Sequence, residues 1–185
     1  MRCLEIGPGP SKIGLEWVTV DCRCRAGGPL GGPRDKIATW GQDALPFEDA
    51  SFDLVYVSHV LEHVPWFRAK FAAAEAFRVL APGGALEVWV PDFEYLVKCY
   101  QRGMCGDDWR KHNENDDPMT WLNGRLFTYG GPEGLGDPNW HRAAYDWNNL
   151  FKLLKSAGFA GIARLCKPRG HDHGPINLGM TGRKP

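Results

Sequence analysis

Apolar residues fall along the chain in short runs divided by glycine- and proline-bearing turns, and their spacing alternates between two periods. Cys3, Leu4 and Ile6 form a first run that stops at Gly7, Pro8 and Gly9, and a second covers Trp17 to Val20. Both read as strands. A Gly/Pro-rich loop from 25 to 33 leads to a weak strand candidate at Lys36 to Thr39. The run Phe52, Leu54, Val55, Tyr56 and Val57 is almost continuous, as in a parallel strand covered on both faces. From Trp66 to Leu80 the period becomes helical, with Phe67, Phe71, Ala74 and Phe77 three or four positions apart, and Pro82, Gly83 and Gly84 end the segment. Ala85 to Val90 predicts another buried strand, and a helix follows through Tyr95, Leu96 and Tyr100.

Residues 101 to 145 break this alternation, being rich in Gly, Asn, Asp, Pro and Trp with little periodicity. A loop of that length reads as a functional segment, here a lid or substrate-binding insert. Asp146 is placed as an N-cap for a helix carrying Leu150, Phe151, Leu153, Leu154 and Ala157, and Gly158 terminates it. Ile162 to Cys166 and Ile176 to Thr181 close the chain as short strands suited to an antiparallel hairpin at a sheet edge. Strands alternating with helices predict an α/β, doubly wound, mostly parallel sheet, with ligands at the carboxyl ends of its strands.

The length of 185 residues suits a single domain over 1–185, large enough to bury about 70% of its unfolded surface. With 43% apolar and 24% charged residues the composition is that of a folded globular chain. Lys plus Arg and Asp plus Glu number 22 each, so no overall field draws the molecule to nucleic acid or an anionic membrane. No apolar run approaches the roughly 20 residues of a membrane span, and no export signal precedes the first strand. The reading is therefore cytoplasmic. The unevenly placed cysteines, Cys3, Cys22, Cys24, Cys99, Cys105 and Cys166, are expected as free thiols.

The segment LEIGPGPSK places Glu5, Gly7 and Gly9 where the first strand turns away, and glycines there let a ligand approach the backbone. Lys12 stands where a dinucleotide fingerprint would carry its third glycine, which argues against a nicotinamide or flavin. Asp21 ends the second strand and can accept from both hydroxyls of a ribose. Asp43, on the loop before the buried Phe52 strand, can accept from an adenine amino group while Ala44 packs on the ring.

Taken in order, LEIGPG, VTVD, DALPFEDASFDLVYVSHVLEHV and FRVLAPGGALEVWVPD resemble the class I S-adenosylmethionine-dependent methyltransferases, most closely the small type 11 group. The resemblance runs from about Leu4 to Asp92, with an echo in the closing helix and the phrase SAGF. It implies a Rossmann-like seven-stranded sheet with an antiparallel C-terminal strand, and S-adenosylmethionine as cofactor. Glu5, Gly7, Pro8 and Gly9 would lie at its methionine end, Asp21 at the ribose, Gln42, Asp43 and Ala44 at the adenine, and Ser58 and His59 under the sulfonium. Only seven residues separate Gly9 from Trp17, so any first helix must be very short or irregular.

His59, Glu62 and His63 also match the H-x-x-E-H pattern of inverted zinc peptidases, but Pro65 interrupts any helix that would carry it. Cys22 with Cys24, and His171 with His173, have an atypical spacing for structural zinc, and no metal is assigned. For methyl transfer to a hydroxyl, His141 and then His63 are the candidate proton acceptors. Trp109, Trp121, Phe127, Tyr129, Trp140 and Tyr145 either line an acceptor pocket or fill a core. The expected acceptor is a small molecule or a sugar or glycan, with nucleic acid disfavoured and a homo-oligomer open. A cofactor- or nucleoside-binding module without catalysis is the alternative from another class.

Overall fold

The computed structural model describes residues 1–9, 12–22, 35–103, 117–128 and 139–185. Its seven-stranded sheet has the order β3-β2-β1-β4-β5-β7-β6. The strands are β1 Cys3–Ile6, β2 Val18–Asp21, β3 Lys36–Ile37, β4 Phe52–Ser58, β5 Leu80–Pro91, β6 Ala160–Leu165 and β7 Asn177–Arg183. The first five run parallel. β7 lies antiparallel between β5 and β6, so the expected C-terminal hairpin caps one edge with its later strand inside.

Side-chain alternation builds two cores. Leu4 and Ile6 of β1, Val55 and Val57 of β4, and Leu86, Val88 and Val90 of β5 face α1 (Ala69–Val79) and α4 (Trp147–Ser156). On the other face Cys3, Leu54, Tyr56 and Trp89 gather with Trp17. Trp17 meets Tyr56 edge-on at 6.2 Å between ring centroids. The segment from Lys12 to Trp17 contains no helix, as its shortness requires.

The face of α1 corrects the sequence reading. Its buried stripe is Ala69, Ala72, Ala73, Ala76 and Val79, whereas Phe67 is exposed and Ala74 points to solvent. Alanines bring the helix axis close to the sheet, a fit that a hydrophobicity period centred on phenylalanines hides. Phe77 instead packs edge-on against Phe159 at the helix end.

The segment expected to be irregular holds a helix, α3, at Pro118–Leu126. Asp117 caps it through its side chain and Pro118 occupies the first turn, the N-terminal signature such helices carry. Asn123 and Gly124 inside it weaken the pattern that would have revealed it. α3 pairs with α2 (Phe93–Gln101), and Leu96, Cys99, Trp121, Leu122 and Ile176 form a satellite core between them. Trp121 is fully buried there and Tyr145 is buried in the main core, so these two aromatics fill cores. Phe127 is exposed, and Trp109 and Tyr129 lie outside the described residues.

Cys3, Cys22, Cys99 and Cys166 carry free thiols, and Cys24 and Cys105 lie outside the described residues. Among the described residues no helix is long and apolar enough to cross a membrane.

Candidate cofactor cleft and histidine cluster

Strand order reverses between β1 and β4, and a cavity of about 240 Å³ opens at the carboxyl ends there, where a doubly wound sheet binds ligands. Its walls come from the ends of β1, β2 and β4 and the turn after β3. They include Gly7, Asp21, Cys22, Thr39, Trp40, Gln42, His59 and His63, with Arg142 arriving from the far end of the chain.

Gly7 sits at φ +69° and donates its N–H to Val20 O at 2.9 Å, which ties the end of β1 to β2. A Cβ there would stand 2.4 Å from Val60 Cγ2, so only glycine closes this turn. Gly9 has φ +63°, but a Cβ on it would meet no atom within 4 Å. A side chain at 9 would therefore enter open space beside the turn. Gly9→Val is expected to leave the fold intact and remove S-adenosylhomocysteine binding, with backbone strain of about 1 kcal/mol or more. Calorimetric titration beside a circular dichroism spectrum checks both halves.

Glu5 is buried, and its carboxylate accepts from Ile13 N–H at 3.0 Å. Burial raises its pKa, against the smaller opposing effects of that N–H and of Lys12. It thus braces the loop after β1. Pro8, Gly9, Asp43, Ala44 and Ser58 stand, like Glu5, outside the cavity lining.

Asp21 differs from these. It is 9% exposed, Oδ1 accepts from Cys22 N–H at 2.8 Å, and buried Oδ2 has no hydrogen-bond partner. A carboxylate oxygen left in that state on a cavity wall lacks the donors its burial calls for. The strand pair that carries it is pinned by Asp35, which accepts from Thr19 N–H, Thr19 Oγ1 and Lys12 Nζ. Those donors, the Thr19 N–H foremost, hold the Asp35 carboxyl below its usual range.

The turn at 39–43 forms the opposite wall. Asp43 Oδ2 accepts from Thr39 N–H at 2.8 Å, so this exposed carboxylate closes its own turn and keeps its other oxygen for solvent or ligand. Trp40 Nε1 donates to Ala72 O, and Arg68 donates to Gly41 O and Gln42 O, which anchors the turn on α1 and the residue before it.

Past β4 the chain enters a cluster of imidazoles around a buried carboxylate. His59 takes φ +53°, rare for a residue with a side chain, and is held there by its N–H to Trp89 O and by Nε2 against Asn177 Oδ1 at 2.8 Å. Its Nδ1 lies 3.2 Å from Glu62 Oε1, yet neither oxygen of Glu62 has a well-aligned hydrogen bond. Burial pushes Glu62 up, but His59, His63 and His141 outweigh it and the carboxyl ends well below its usual range. For His59 burial is the largest influence and lowers the pKa; the contacts to Glu62 and Asn177 reverse it to a net rise. His173 packs on His59 at 3.9 Å between centroids, and burial, aided by His59 and His171, takes it down to about 4.

His63 and His141 meet edge-on at 4.8 Å. His141 is drawn in by main-chain bonds of the 141–143 segment: Arg142 N–H and Ala143 N–H donate to Glu62 O, and His141 N–H donates to Phe127 O. Its Nδ1 lies 3.0 Å from Arg125 O, and burial lowers its pKa. Because His59 is not helical and Leu61–His63 is a single 3-10 turn, the two histidines of the H-x-x-E-H match do not stand on one helix, as a zinc peptidase would need.

The sequence reading missed Cys22, Thr39, Trp40 and Arg142 of the cleft. Cys22 adjoins Asp21 at the end of β2, and Thr39 and Trp40 lie in the turn after β3, positions that mark them once strand order is known. Nothing local announces Arg142, whose place follows from bonds to a segment about 80 residues earlier.

This combination of sheet order and cleft defines the fold of class I methyltransferases, and the comparisons agree. A family model described as a methyltransferase domain matches residues 35–88. An uncharacterized methyltransferase of Mycobacterium marinum is 35% identical over 106 residues, which span 49% of this chain and 40% of that protein. Among solved structures, a possible histamine N-methyltransferase of Thermotoga maritima aligns over 100% of this chain and 82% of its own, with a TM-score of 0.56 and 21% identity. A protein of Methanosarcina mazei described as an S-adenosylmethionine-dependent methyltransferase aligns over 99% and 92%, with a TM-score of 0.56 and 19% identity. The chain therefore has the fold of the class I S-adenosylmethionine-dependent methyltransferases and is similar in sequence to methyltransferases over part of its length.

Proposed function

We propose that the protein binds S-adenosylmethionine in the cleft at the ends of β1, β2 and β4 and transfers its methyl group to a hydroxyl of a small-molecule or sugar-like acceptor. The observation that carries this reading is the partnerless, buried Oδ2 of Asp21 on the cavity wall. Two vicinal ribose hydroxyls are donors of the kind it lacks. When bound, the cofactor supplies a methyl carbon activated by a sulfonium, open to in-line displacement.

The chain's own residues then have separable tasks. Gly7 and Gly9, with Pro8 between them, let the ligand approach the backbone of the turn after β1, while Glu5 keeps that loop in place. Asp21 holds the ribose; Gln42, Asp43 and Ala44 form the adenine side. Ser58 and His59 end β4 where the methyl group would be presented. His63 and His141 flank the acceptor end, where a hydroxyl must give up its proton as its oxygen takes the methyl group. Positioning the two reactants in near-attack contact accounts for most of the rate such a site can supply.

The experiment is methyl transfer from radiolabelled S-adenosylmethionine into a panel of hydroxyl-bearing metabolites and sugars. Label in a product is the expected result. Tight binding of S-adenosylhomocysteine without label in any product would instead assign a binding module.

A further inference from the structure

We propose that Glu62, His63 and His141 form a binding site for a divalent transition-metal ion of the Zn²⁺ type, placed at the acceptor end of the cleft. A carboxylate oxygen of Glu62 and one ring nitrogen from each histidine lie within 4.8 Å of one another. Glu62 is 1% exposed, and apart from the approach of His59 Nδ1 to Oε1 at 3.2 Å neither of its oxygens has an aligned donor among the described residues, so a buried carboxylate faces the group with little hydrogen bonding. Leaving a buried charge in that state is costly, and a dication is the ligand that answers it.

The rest of the geometry suits a metal. His141 Nδ1 faces the Arg125 carbonyl at 3.0 Å, which places the proton on Nδ1 and turns Nε2 into a lone-pair donor, the arrangement seen in metal-binding imidazoles. Two imidazoles and one carboxylate are the protein ligands of a catalytic zinc site that keeps a position open. At metal–ligand bonds of about 2.0 to 2.1 Å a tetrahedral set has ligand atoms about 3.4 Å apart, so the rings need to draw in by roughly an ångström. Glu62 and His141 also line a small cavity of about 10 Å³, the room one water-sized sphere occupies. His63 lines the main cleft, so the open position faces the acceptor.

Such an ion would bind the acceptor oxygen and ease loss of its proton, which in turn favours acceptors with a hydroxyl. This role rests on the methyltransferase reading, whereas the site itself does not. The proposal departs from the metal-free expectation of the sequence, since it joins Glu62 and His63 with a histidine 78 positions later.

The test is titration of the metal-stripped, full-length protein with Zn²⁺ by calorimetry and with Co²⁺ by visible absorption. Expected are one equivalent bound and a Co²⁺ spectrum with ligand-field bands but no thiolate charge-transfer band. His63→Ala and His141→Ala should each weaken Zn²⁺ at least about tenfold, since each removes one of three ligands. The double variant His171→Ala, His173→Ala should bind as the parent does. The absence of one-equivalent uptake, a thiolate band, or unchanged affinity in His63→Ala or His141→Ala would overturn the site. If those variants fail to fold, the Co²⁺ spectrum of the parent decides alone. Titration with S-adenosylhomocysteine in chelator separates the two claims: binding there without metal uptake overturns the metal site only, and metal uptake without that binding overturns the cofactor cleft only.

Discussion

Asp21→Ala is expected to weaken S-adenosylhomocysteine by about one to two decades in calorimetric titration, the largest loss of any single carboxylate in the cleft. Oδ2 is buried and has no hydrogen-bond partner among the described residues, so ligand hydroxyls would meet an acceptor that has already lost its water. A hydrogen bond to a charged group contributes about 1.5 to 3 kcal/mol, and about 1.4 kcal/mol corresponds to a decade. Asp21→Asn serves as the finer probe. It keeps an oxygen for Cys22 N–H but turns the other position into an amide donor that repels the ribose hydroxyl hydrogens, so it should bind nearly as poorly as alanine. Asp43→Ala should cost less, because that carboxylate is exposed and one oxygen is committed to Thr39 N–H. Its signature is lost discrimination against an inosine analogue, whose ring oxygen cannot donate. Parent-like binding of the natural ligand by Asp21→Ala would remove the cleft assignment.

The second large effect is on stability. Arg78→Ala is expected to lower stability by about 3 kcal/mol and the melting temperature by roughly 6 to 12 °C, as read by thermal unfolding. Arg78 donates to both oxygens of Glu75, to Leu45 O, to Phe47 O and to Asp49 Oδ1. Glu75 is 8% exposed and its Oε2 also accepts Leu45 N–H at 2.7 Å. Removal of the guanidinium leaves a nearly buried carboxylate and two loop carbonyls short of donors. The loop they fix runs on from Asp43 and Ala44, so adenine-side affinity should fall with stability. The Arg78 hydrogen bonds, aided by Leu45 N–H and opposed by burial, hold the Glu75 carboxyl below its ordinary 4.5. A carboxyl whose pKa is depressed by folding contributes stability that is complete above its unfolded value and lost as pH falls through the folded one. The difference in stability between parent and Arg78→Ala should therefore hold steady above about pH 4.5 and shrink below it. A difference that grows toward acid would contradict this role for the pair.

Much of this architecture was legible because parallel strands announce themselves. The Phe52 run, the glycine turn after Ile6 and the Asp21 that ends β2 are local patterns, and each lies where the topology needs it. The helix expected at 66–80 is a 3-10 turn at Trp66–Arg68 leading into Ala69–Val79, with β5 already begun at Leu80, and its orientation was not legible, since a stripe of alanines carries little hydrophobic signal beside three phenylalanines. α3 was hidden by its own glycine and asparagine and is held by tertiary contact of Trp121 and Leu122 with α2. Within the site, residues on one loop could be grouped from sequence, and residues joined across the fold could not. The meeting of Glu62 with His141, and of His59 with His173 and Asn177, depends on main-chain bonds and strand order with no sequence period of their own. His59, His63 and His141 were singled out individually; the carboxylate they surround was seen only as part of a misleading motif.

The measurement closest to the central claim is a crystal structure of the protein with S-adenosylhomocysteine. The ligand is expected in the cleft at the ends of β1, β2 and β4, with its ribose hydroxyls donating to Asp21 Oδ2 and its adenine against the 42–44 turn. A ligand seated elsewhere on the molecule, or one in the cleft with Asp21 Oδ2 still lacking a donor, would contradict it.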